Sequence, residues 1–148
     1  MRVTREVEIV APATAVWELL WDVPRMVECL PGCVEAREVE PHQRYAARMT
    51  QKVGPISLSV PLDVKVIEAV APRRLALDAK GRDPVIGAEI VARVTLDVEP
   101  RGDLSLLRID AEGRILGKLG ALGHGVIQRK AEETIEEFGA RLRLSAER

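Results

Sequence analysis

With 148 residues, 47% of them hydrophobic and 30% charged, and a formal net charge of −1, the chain has the make-up of one globular domain spanning residues 1–148. The near-neutral balance and the lack of a basic block exclude a nucleic-acid surface, and no apolar run reaches the roughly 18 residues a membrane span needs. The N-terminal MRVTREVEIVAP puts charges where an export signal needs its apolar core, so the expected compartment is the cytoplasm. Trp17, Trp21, Tyr45 and Phe138 are the only aromatics. The core must therefore be built from Val, Leu, Ile and Ala, whose short side chains leave room for an internal cavity.

Residues 3–10 alternate, with Val3, Val7 and Ile9 against Thr4, Glu6 and Glu8, as a half-buried strand does. Pro12 suits a helix start, and Ala13–Trp21 reads as a short helix with Val16, Trp17 and Leu20 inward. Arg25–Leu30 reads as a second, stopped by Pro31-Gly32. Strands are then expected at Val34–Glu40, Arg44–Val53, Ile56–Val66, Arg73–Lys80, Ala88–Glu99 and Leu104–Arg114. The turn residues Pro41, Gly54-Pro55, Gly81, Pro84 and Pro100-Arg101-Gly102-Asp103 separate them. Pro61, inside the fourth, predicts an edge position or a bulge. Gly117–Ser145 reads as one long helix whose stripe is Leu119, Leu122, Val126, Ala131, Ile135, Phe138 and Leu142. Its start is weakened by Gly117, Gly120, Gly123 and Gly125, each costing about 1 kcal/mol relative to Ala.

One strand, two short helices, six strands and a long helix predict an α+β helix-grip fold: a curved antiparallel sheet of about seven strands around the C-terminal helix. Between sheet and helix, a cleft lined by apolar side chains is the default ligand site.

Ala11-Pro12 with Val16-Trp17, Cys29-Leu30-Pro31-Gly32-Cys33, Lys52-Val53-Gly54-Pro55-Ile56, and Gly117-Lys118-Leu119 with Leu122-Gly123 carry a family resemblance over essentially the whole chain. Together they resemble the carbon monoxide dehydrogenase G-subunit family, within the START and Bet v 1-like (polyketide cyclase-like, SRPBCC) helix-grip group. The resemblance implies a non-catalytic accessory protein associated with molybdenum-containing dehydrogenases of the carbon monoxide dehydrogenase type. It implies a quinone or lipid-like ligand carried in the cavity, and transient contact with the inner membrane face. Certain members meet the membrane through a C-terminal extension; this sequence ends at Arg148, just past the predicted helix.

Catalytic and metal chemistry find little support in the residues themselves. Cys29 and Cys33, separated by Leu-Pro-Gly, do not make a CxxC pair. Zinc would need four ligands where only His42 and His124 could be added. The two cysteines read as small residues at a helix-to-strand corner, a disulfide being uncommon in the cytosol. His42 reads as a solvated turn residue. His124, among glycines, has no acid at a fixed spacing to make it a base. The Gly-rich GKLGALGHG fits neither a P-loop nor a dinucleotide fingerprint. Its glycines at 117, 120 and 123 would share one helix face, packing it on the sheet or opening the cavity mouth. Lys118, the one charge there, would meet an acidic partner, a lipid headgroup or water. Asp63, Asp78, Asp97, Asp110 and Glu112 fall on outward strand faces, as do Arg48 and Lys52.

The expected ligand-binding residues are Trp17, Leu20, Met26 and Leu30 from the short helices, and Tyr45, Met49, Leu58, Leu75, Leu77 and Ile90 from the sheet. Leu119, Leu122, Gly123 and Ile127 would complete the wall from the long helix. Replacing Gly123 by Leu is expected to block ligand while sparing the fold. No metal or covalent cofactor is expected. A carrier requires an almost wholly apolar cavity of at least about 300 Å³. A polyketide cyclase or dehydratase would need inward polar groups, for which Tyr45, Gln51 and His124 are the candidates. An Hsp90-activator-like interaction module would show an exposed apolar or charged surface and a cavity too small for a ligand.

Overall fold

A computed structural model describes residues 1–148, the side chain of Lys118 excepted. The elements are β1 (Arg2–Ile9), α1 (Ala13–Trp21), α2 (Val23–Glu28), β2 (Cys33–Glu40), β3 (Arg44–Val53), β4 (Ile56–Val70), β5 (Arg74–Asp83), β6 (Ala88–Arg101), β7 (Leu104–Leu116), a 3-10 turn (Lys118–Leu122) and α3 (His124–Ala146). One antiparallel sheet of seven strands has the order β1-β7-β6-β5-β4-β3-β2, so every strand but the first pairs with its neighbour in sequence. β1 returns to close against β7, with Arg2 opposite Glu112 and Ile9 opposite Ser105. The helix-grip architecture predicted from the element order is the one observed.

Period-two patterning explains the sheet. Leu58, Val60, Leu62 and Val64 of β4 are buried while the residues between them are exposed. A one-residue slip would turn that whole face to water. Pro61 sits opposite Arg48 of β3, but pairing to β5 begins only at Leu62–Gly81, so the missing N–H falls where no β5 partner is aligned. Gly81 belongs to β5 rather than to a loop, paired with Leu62 and Ile90, and a Cβ there would collide with the Val60 side chain and the Pro61 carbonyl. The outward face is laced by arginine–aspartate pairs across strands: Arg2–Asp110, Arg44–Asp63, Arg74–Asp97 and Arg93–Asp78. This is the outward placement that the alternation predicts for these carboxylates. β2, at the sheet's edge, is irregular, with register shifts after Val34 and after Glu38 and a positive φ of 57° at Glu35.

The two short helices cover one end of the sheet. Pro12 is the N-cap of α1, and its carbonyl receives the N–H groups of Ala15 and Val16. The second helix starts earlier than the sequence suggests, at Val23, because Pro24 fits its first turn. Ser105, fully buried on β7, donates from Oγ to the Ala11 carbonyl at 2.7 Å and fastens the β1–α1 corner to the sheet.

The long helix differs from expectation at its start. The segment 117–123 is not helix continued upstream but a short 3-10 turn between two glycines that no side-chain-bearing residue would replace easily. Gly117 has φ 87°, ψ −154° and Gly123 has φ 96°, ψ 152°, a region that is essentially glycine-only. α3 proper has 23 residues, or about 35 Å at 1.5 Å per residue. It buries Ile127, Ile135, Phe138, Gly139 and Leu142. The glycine that lets it approach the sheet is Gly139, where a Cβ would stand 2.8 Å from Val7 and 3.4 Å from Ile109. The glycines at 117, 120 and 123 therefore do not share a helix face.

Candidate ligand cavity

Between the sheet and the first half of α3 lies an apolar cavity of about 160 Å³. β3 and β4 supply Met49, Gln51, Val53 and Leu58 to its wall, and β6 and β7 supply Ile90, Ala92, Val94, Ala111 and Ile115. Leu30 closes it from the turn after α2, Leu119 from the 3-10 turn, and Ile127, Ala131 and Ile135 from α3. The room comes from the short side chains of Ala92, Ala111 and Ala131. The walls are apolar as expected of a carrier, but the volume falls below the roughly 300 Å³ expected with them, so the closed cavity houses only part of a ligand. The volume is close to the 150 Å³ or so that holds one benzene in a dry engineered cavity.

Six of the residues predicted from sequence meet here: Leu30, Met49, Leu58, Ile90, Leu119 and Ile127. Trp17, Leu20, Met26, Tyr45, Leu75 and Leu77 do not line the cavity; all are buried in the closed part of the core. α1 packs on β6 and α3, and α2 on β2, so the cover residues fill the space beneath them with their own side chains. Leu122 packs instead over the β3–β4 turn, 3.8 Å from where a Cβ on Gly54 would stand. Gly123 does not line the cavity either, and its φ of 96° would strain any residue with a side chain, so Gly123→Leu would not spare the fold as expected.

Sequence reasoning misses Ala111, Ala131 and Ile135 as wall residues. The first two are small residues on faces already known to be inward; nothing in the sequence says how far along the sheet the helical cover closes. Val53, Ala92 and Val94 are inward by alternation, and that signal is sufficient to find them.

Polar groups at the wall are few. Gln51 donates from Nε2 to the Pro31 carbonyl at 2.6 Å, and Thr134 from Oγ1 to the Lys130 carbonyl at 2.7 Å. Of the polar residues a cyclase would use, only Gln51 reaches the cavity. Tyr45 is buried with its hydroxyl unpaired, and its ionisation is pushed up by burial and then by the nearby Glu38 carboxylate. His124 is exposed at the first residue of α3. His42 is not simply solvated: its ring stacks on Trp21 at 4.4 Å and 5°, and Trp21 stacks on Trp17 at 5.7 Å. Both cysteines are free thiols. Burial pushes Cys33 up to about 12 and also raises Cys29, so neither is an activated nucleophile. Among the described residues no group of three His, Cys, Asp or Glu side chains is placed to hold a metal. Lys118, expected to act at the Gly-rich segment, has its side chain outside the described residues.

A curved sheet closed by a long helix over an apolar cavity defines a START-like helix-grip protein. Solved structures share the fold. A conserved protein from Geobacillus kaustophilus superposes with a TM-score of 0.85 at 18% identity, over 99% of this chain and 95% of its own. A START superfamily protein from Mycobacterium smegmatis gives 0.70 at 15% identity, over 99% and 97%. An aromatase/cyclase from a Streptomyces species gives 0.68 at 18% identity, over 100% and 94%. No curated protein sequence matches the chain. The chain belongs to the carbon monoxide dehydrogenase G-subunit (CoxG) family, whose model matches residues 6–146.

Proposed function

We infer that this protein is a non-catalytic accessory that holds a hydrophobic ligand between sheet and helix. The observation that carries this reading is the cavity itself, apolar on nearly every side and without an inward acid–base pair. A wall of this kind lowers the free energy of a buried hydrocarbon by about 25 cal/mol per Å² and aims no acid and base together at a ligand. Family membership supports service to a molybdenum-containing dehydrogenase of the carbon monoxide dehydrogenase type, as carrier or assembly factor. A quinone or lipid-like molecule collected at the inner membrane face is the cargo this reading expects. Among the described residues no helix is long and apolar enough to cross a membrane.

The 160 Å³ of free space holds only part of such a molecule, so the rest extends through the mouth or displaces the 3-10 turn. Native mass spectrometry of protein from its own host, repeated after adding quinones and lipids, tests the reading. An apolar adduct is expected from the native chain and not from Ala131→Leu. That change fills the cavity from a half-buried helix position, and Leu is nearly as good a helix former as Ala. Recovery of no ligand and no binding of those added would overturn it.

A further inference from the structure

The cavity meets an uncommitted charge on one flank of α3 only. Helix residues advance by about 100° each, so Gln128 and Lys130 stand about 200° apart. Gln128 reaches the β1 side, donating from Nε2 to the Arg2 carbonyl at 3.3 Å. Lys130 and Thr134 therefore occupy the opposite flank. That flank looks toward the turn after α2, for farther along it Arg141 is near enough to Cys29 to act on its thiol. Leu30 and Gln51, the latter bonded to Pro31, bound the cavity from that turn.

The polar groups here are nearly all spoken for. Thr134 and Gln51 donate to protein carbonyls, and Arg141 is paired with Glu137 at 2.8 Å. Glu112, also at the wall, is exposed on the outward side of β7. Lys130 is half-buried at the cavity and, among the described residues, takes part in no ion pair. A lysine so placed lays its aliphatic stem on apolar wall and holds its ammonium at the water boundary. The free space beside it takes about six carbons by comparison with benzene, so a longer ligand must leave its polar end outside that space.

We propose that the site takes a single-chain amphiphile with a carboxylate head group, its chain in the cavity and its carboxylate on the Lys130 ammonium. This rests on the carrier reading above and singles out, among its lipid-like ligands, the acidic ones. A carboxylate adds charge–charge attraction to the hydrogen bond that the ammonium also gives an alcohol oxygen, so an alcohol of similar length binds less tightly.

Titration calorimetry with octanoate, octanol and decylubiquinone tests this on the native chain, Lys130→Met and Lys130→Arg. Octanoate is expected to bind about tenfold more tightly than octanol. Lys130→Met is expected to erase that margin, and Lys130→Arg to keep most of it. Octanoate no tighter than octanol, or equally tight in Lys130→Met, overturns the proposal and leaves the carrier reading standing. Binding of none of the three overturns both.

Discussion

Asp78 and Arg93 show what a single outward pair contributes. The Arg93 guanidinium bonds both Asp78 oxygens, at 2.8 and 3.1 Å. That hydrogen bonding is the main cause holding the Asp78 carboxyl below the usual aspartate range. Arg2 does the same to Asp110. Because the folded values are lowered, the unfolded chain binds more protons in acid. The stabilisation is complete above the unfolded value of about 4 and is lost as pH falls from there through the lower folded values. Arg93 is 59% exposed, so water screens the pair and leaves it a small contributor. Asp78→Asn should lower stability slightly at pH 7 and flatten the decline below about pH 4, as read from urea midpoints across pH. A midpoint loss that persists unchanged at pH 2 would mean the pair acts through packing.

At the scale of elements, the 3-10 turn is the piece that sequence and structure describe differently. Leu119, Leu122 and Val126 step at helical spacing, and the periodicity predicts one continuous helix. A hydrophobic stripe records which side chains face inward, not the φ of the glycines between them. Gly117 and Gly123 break the helix on both sides of a five-residue turn whose Leu119 is fully buried. The strands, by contrast, are readable to within a few residues because burial on one face fixes their period and their register. Site residues divide along the same line: alternation finds Met49, Leu58 and Ile90 but also admits Leu75 and Leu77, which the helical cover seals elsewhere. Gly123→Ala should lose about 1–3 kcal/mol, since its φ of 96° and ψ of 152° suit only glycine. A thermal melt checks this, and an unchanged melting temperature would show that the turn relaxes freely into helix.

Across the whole molecule, stability is divided between two ends. α1, α2 and the second half of α3 close one end with Trp17, Leu20, Met26, Phe138 and Leu142, all buried. Arg25 adds a link to α3, donating to the Ser145 hydroxyl at 2.7 Å. The other end holds the cavity, the 3-10 turn and the start of α3, where residues 123–126 are all exposed. Segments with few buried apolar contacts open at lower free energy than the core. Hydrogen exchange should therefore proceed from residues 117–126 well before residues 135–142, and bound ligand should slow the first group selectively. Uniform protection along α3 would contradict this division.

The edge strand β2 carries a different consequence. A strand edge presents unpaired N–H and C=O groups to any other extended chain, and a regular one would template further strands. Here two register shifts, the positive φ at Glu35 and the charges of Glu35, Arg37, Glu38 and Glu40 make the edge a poor mould. A protein whose core must stay loose enough to admit a greasy guest exposes more apolar surface in passing than a tightly filled one. Its crooked margin keeps those moments from recruiting neighbours, so the sheet ends with the chain that made it.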